Sequence, residues 1–118
     1  MDKKKFLEEM KKNIEPLEKE DIMDIIHRSV SQADSINPRG HRNLIIVMEE
    51  LAELAQEVSK NLRGRANYYD LLEEMADNQL SLYYLQDICG ISDEDLQKAI
   101  RIKAERVDKV VRQQGEYH

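Results

Sequence analysis

One cysteine, no tryptophan, two prolines and four glycines in 118 residues exclude much at the outset. A lone cysteine cannot form an intrachain disulfide, and the place of Cys89 after Ile88 reads as that of a buried structural thiol, not of a nucleophile. Aromatic residues make up only 5% of the chain. A sheet-rich fold wants more aromatic and β-branched runs and more turn residues, so their scarcity points to helices. With so few glycines no Gly-x-x-x-x-Gly-Lys-Ser/Thr phosphate loop can be written. No stretch approaches the ~20 apolar residues of a membrane span. The start, Met-Asp-Lys-Lys-Lys-Phe, lacks the apolar run of a secretion signal, so a cytoplasmic location is expected. Basic excess is missing too: the net charge of -6 disfavours a nucleic-acid binder, which usually shows a basic footprint. Internal repeats, low-complexity tracts and a local Ser/His/Asp triad are absent as well.

What is present is charge, 36% of residues, arranged among apolar positions at helical spacing. The length suits one domain with a modest core. The expected fold is all-α: an antiparallel bundle of four core helices over residues 20–114, preceded by a short N-terminal helix within an appendage at 1–16.

In that appendage, Phe6, Met10 and Ile14 make a narrow apolar stripe over residues 2–14, and Pro16 ends it. A second helix is expected from Lys19 to Ala33, presenting Ile22, Ile25, Ile26 and Val30. Asp24 and His27 have a spacing that can bind metal, but the pattern occurs once, so a partly exposed histidine is the preferred reading. Asn37 and Pro38 suit the cap and first position of a long third helix reaching Leu62. Arg39, His41 and Arg42 in its first turns oppose the helix dipole; they fit an anionic neighbour, a partner surface or plain solvated charge equally. A short basic connection through Gly64 makes the next helix, Tyr68 to Cys89, an antiparallel neighbour. That helix is apolar over most of its circumference and should be central. Tyr84 lies on its Asp77 side, within reach of a ligand. Gly90 stops it, Ser92 caps the fifth helix, and Lys103 falls in the middle of the stripe formed by Leu96, Ile100, Val107, Val110 and Val111. A lysine there either snorkels or meets a phosphate or carboxylate, with Arg106 near enough to assist.

The acids carry the chemistry. Glu49-Glu50-Leu51-Ala52-Glu53 is followed, after twenty residues, by Glu74-Met75-Ala76-Asp77. Acids three apart project from nearly the same side of a helix, so Glu50 with Glu53 and Glu74 with Asp77 form two pairs. On the third helix the apolar arc is read as Val47, Leu51, Leu54 and Val58, then Leu44, Met48 and Ala55, with Glu50, Glu53 and Glu57 along its border. On the fourth, the acid stripe runs on through Ser81 into Leu85 and Ile88, so the acids are expected to point toward a packed interior. Carboxylates crowded in a poorly solvated place repel one another and take up protons unless a positive charge compensates them. A hard divalent ion does so economically, Mg2+ above all, with Mn2+ as a substitute.

The two motifs at this spacing resemble the MazG-like all-α nucleoside triphosphate pyrophosphohydrolases, over roughly residues 20–114. The resemblance implies that Glu50, Glu53, Glu74 and Asp77 hold Mg2+, with Glu49 and Glu73 as neighbouring acids, one of which would orient the attacking water. It implies that Lys103, helped by Arg106, holds phosphates. Glu105 and Asp108 stand where the family often has an asparagine, a departure that bears on base and sugar recognition. The implied reaction cleaves a (d)NTP to a (d)NMP and pyrophosphate. Similar enzymes act on phosphoribosyl-ATP or dUTP. Two other readings compete: a di-iron bundle, which wants two Glu-x-x-His motifs that this chain lacks, and a non-catalytic helical interaction module. Surplus apolar stripes predict a homodimer, or a homotetramer.

Overall fold

The computed structural model describes residues 2–12, 21–36 and 41–116. It is all-helical, with no strand among those residues: α1 (Lys3–Lys11), α2 (Ile22–Ile36), α3 (His41–Leu62), α4 (Tyr68–Ile88) and α5 (Asp93–Glu116). The chain forms two units, Met1–Ile88 with α1 to α4, and Cys89–His118 with α5.

Short polar side chains start the helices by accepting from otherwise orphaned N–H groups. The Asp2 carboxylate accepts from the Lys4 amide at 2.9 Å and Asp21 from Met23 at 2.8 Å. Asn67 accepts from Tyr69 and Asp70 at 3.0 and 3.2 Å, and the Ser92 hydroxyl accepts from Asp95 at 3.1 Å. The second helix runs three residues beyond the expected Ala33, while its expected start at Lys19 and the breaks at Pro16 and Asn37-Pro38 lie outside the described residues.

The end of α3 determines the geometry that follows. Gly64 has φ +71°, a left-handed conformation that costs a residue with a Cβ. Its amide donates to the Asn61 carbonyl at 3.1 Å and the Arg65 amide to Lys60 at 2.8 Å, a Schellman closure that satisfies the last carbonyls. Only three residues, 65 to 67, then separate this turn from α4, which returns antiparallel along α3.

Within the first unit α4 packs most extensively on α3, and also on α2 and α1. The Tyr83 hydroxyl donates to the Met23 sulfur at 3.7 Å, joining α4 to α2, and Lys3 of α1 pairs with Asp70 at 3.8 Å. This agrees with a central α4.

The contents of the core depart from the expectation. The buried apolar residues are Ile26 and Val47, whereas Glu57, Glu73, Asn78 and Ser81 are also buried. The expected apolar arc of α3 splits: Val47 faces inward, while Leu51 and Val58 are both 47% exposed and Met48 is 70% exposed. At 100° per residue the stripe through Val47, Glu50, Leu54 and Glu57 turns toward α4, and the one through Met48, Leu51, Ala55 and Val58 lies about a quarter-turn away. Glu50 and Glu57 stand at the helix contact, not at its border, whereas Glu53 is exposed. On α4, Met75, Leu80 and Leu82 are exposed in the same way. Cys89, expected to be buried, is exposed, because it lies in the turn that follows α4 and ends at Gly90, φ +66°.

Candidate metal centre

Glu50 on α3 meets Glu74 and Asp77 on α4. Each offers a carboxylate oxygen within 4.8 Å of the other two, and all three residues are half-buried. Two regularities bring them together: the i, i+3 spacing puts Glu74 and Asp77 on one side of α4, and the tight turn at Gly64 lays that side against α3.

Asn78 fastens the two helices at this level. Its Nδ2 donates to the backbone carbonyl of Glu50 and to that of Glu74, both at 2.8 Å. The side chain is almost wholly enclosed, the residue being only 4% exposed. A bond from so short a side chain to a neighbouring backbone requires close helix approach.

Charge accumulates here without a compensating cation from the side chains of these two motifs. Desolvation pushes the Glu74 carboxyl up to about 7, assisted by the charges of Glu53, Asp77, Glu50 and Glu73. Glu50 is raised by desolvation and then by Asp77, Glu53 and Glu49. Asp77 is raised by desolvation, with Glu53 adding to it. The Oε2 atoms of Glu50 and Glu74 are buried and accept no hydrogen bond. Buried carboxylate oxygens without donors are costly, and a divalent cation with oxygen preference satisfies both at once. The donor set, three carboxylates from two rigid helices, is of the kind that could hold Mg2+ or Mn2+.

The remaining candidates separate. Glu53 is exposed and is not among the three converging residues, though its charge reaches all of them. Glu49 is exposed beside Glu50, and Glu73 is buried beside Glu74. Tyr84 is half-buried on α4. Lys103 and Arg106 are exposed on α5, in the other unit; Lys103 shares a shallow apolar groove of that helix with Ile100, Ala104 and Val107. Asp24 and His27 are exposed and form no cluster with a third metal-binding side chain among the described residues. Arg39 and the side chains of His41 and Arg42 lie outside the described residues.

Sequence reasoning missed Asn78 and the burial of Glu57. Asn78 follows Asp77 directly and stands four residues after Glu74, so an amide at that place on the inward stripe was the available signal. Glu57 lies seven residues after Glu50 on the same face, is buried, and pairs with Lys60 at 2.9 Å. No family model, no curated protein and no solved structure matches this chain.

Proposed function

We propose that this protein is a Mg2+-dependent, MazG-like nucleoside triphosphate pyrophosphohydrolase that converts a (d)NTP to a (d)NMP and pyrophosphate. The observation that carries the reading is the meeting of Glu50, Glu74 and Asp77 across α3 and α4, with two of their oxygens buried and unbonded. Glu50, Glu74 and Asp77, with Glu53 at their edge, would hold Mg2+ or Mn2+, which when bound supplies charge neutralisation at the phosphates and a more acidic water.

The chain's own residues have distinct tasks in this scheme. The three converging carboxylates, pre-set on rigid helices, would hold the cation in one place, and without it their charge would repel a polyphosphate. Glu49 or Glu73, each next to one of them, orients the attacking water and takes its proton. Water attacks the α-phosphorus, the bond from that phosphorus to the bridging oxygen breaks, and pyrophosphate leaves. The MazG-like resemblance would assign to Lys103 and Arg106 the cationic groups that a polyphosphate requires. Such a substrate fits a cytoplasmic protein. Among the described residues no helix is long and apolar enough to cross a membrane.

The exposed stripe of α3 supports the oligomer. Leu44, Met48, Leu51, Ala55, Val58 and Leu62 follow one another at spacings of four and three, the pattern of a helix-packing seam. A second copy of the chain, presenting the same stripe about a two-fold axis, would cover it. Phosphoribosyl-ATP or dUTP are alternative substrates within the same chemistry. The same exposed stripe also favours a second reading, a non-catalytic interaction module. A nucleotide panel with Mg2+, quantifying pyrophosphate against orthophosphate, tests the proposal. Pyrophosphate as the direct product is expected; orthophosphate as the direct product, or no turnover of any nucleotide, overturns it.

A further inference from the structure

We infer that Asn78 is the positioning residue that sets the gap between Glu50 and Glu74, and thereby the affinity and size preference of the cation site. The inference rests on the reading of those acids as metal ligands.

The amide has one nitrogen and spends it on the carbonyls of two of the three converging residues, one on its own helix and one 28 positions away on α3. The bond to Glu74 is intrahelical and orients the side chain. The bond to Glu50 spans the helix pair and fixes their separation at the level of the site. The Lys60 bond to Glu57, by contrast, stays within α3. An apolar residue of similar size, such as leucine, fills the space but cannot fasten the carbonyl of Glu50. The Glu50 carboxylate then loses the bond that ties its own residue to α4 beside Glu74 and Asp77. Cations that demand short, rigid coordination depend on that distance more than Ca2+ does, which accepts longer bonds and irregular geometry.

The test is a Mn2+ titration followed by electron paramagnetic resonance, on the full chain and on Asn78→Leu and Asn78→Ser. Ca2+ competition is measured alongside, and helix content by circular dichroism. Serine can keep the bond to Glu74 but is too short for Glu50. Both variants, if helical, are expected to bind Mn2+ about tenfold or more weakly, as when a group that orients a ligand is removed. Their preference for Mn2+ over Ca2+ should also narrow. A merely structural role would lower the melting temperature and leave the affinity of the folded protein unchanged, which would overturn the inference. If the variants do not fold, the wild-type Asn78 side-chain amide signals decide by NMR. They should shift in step with Mg2+ addition, and their indifference counts against the assignment. A wild-type chain that binds no Mn2+ removes the metal reading and this inference together, whereas wild-type binding with unaltered variants removes only the role of Asn78.

Discussion

Glu50 and Glu74 bring buried, unbonded Oε2 atoms to the same helix contact, and the residues whose carbonyls Asn78 joins are these same two. At this level the seam between α3 and α4 is tied by the Asn78 amide and backbone carbonyls, while these two Oε2 atoms are left without donors. Its behaviour should depend on pH and on divalent ions.

Without divalent ions, stability should fall as pH rises. Glu74 ionises near 4.5 in the unfolded chain and near 7 in the folded one. Between those values the folded state binds more protons, so unfolding becomes easier with each step up in pH, and the loss is complete above about 7. Glu50 and Asp77, also raised, act with the same sign. Thermal melts with chelator present should give a higher Tm at pH 5 than at pH 8.

Added Mg2+ should reverse that trend. A ligand that binds only the folded state raises Tm by mass action, and it needs ionised carboxylates. The rise on adding 5 mM Mg2+ (about a hundred times an assumed ~50 μM Kd, hence roughly 2.7 kcal/mol) is expected at pH 8 and should nearly vanish at pH 5. An equal rise at both values would contradict the assignment.

Glu74→Gln should separate stability from activity. The amide keeps the shape and removes one of the repelling charges, so the metal-free variant is expected to melt higher than wild type at pH 8. It should show no Mg2+-dependent rise and no pyrophosphate release. A variant that keeps full turnover would show that the acid is dispensable.

Asp77→Asn and Glu53→Gln should differ in degree. Asp77 belongs to the converging set and Glu53 does not. Turnover is expected to drop by about 100-fold or more for Asp77→Asn, the scale of losing a group that stabilises transition-state charge. About tenfold is expected for Glu53→Gln, the scale of losing a supporting group. Steady-state kinetics on the best nucleotide, with helix content checked in parallel, measures both.

Leu51→Glu should dissociate the proposed homodimer. Leu51 is 47% exposed in the middle of the apolar stripe of α3. A charge there is expected to halve the mass seen by light scattering without loss of helix content. A wild-type chain that is already monomeric would point to a different occupant of that stripe.

Much of this was readable one residue at a time. Asn67, Gly64, Ser92 and Gly90 act locally, through capping bonds or left-handed backbone, so the helix boundaries they control follow from their identities. The i, i+3 pairs needed only the helical repeat. The side of α3 that turns inward was not legible, because Leu51 and Val58 look as suited to a core as Val47. Asn78 was passed over because an amide in an apolar helix has no meaning until its bonding partner on another helix is known.

The sequence by itself determined five helices, their caps, a tight return between α3 and α4, and acids at spacings that allow chelation, since all of these depend on neighbours within a turn or two. Tertiary structure alone decided that Val47, Glu57 and Asn78 turn into the α3 and α4 contact while Met48, Leu51 and Val58 face outward. That choice is a matter of rotation about a helix axis, set by which stripes pack together and by a bond between residues 28 positions apart.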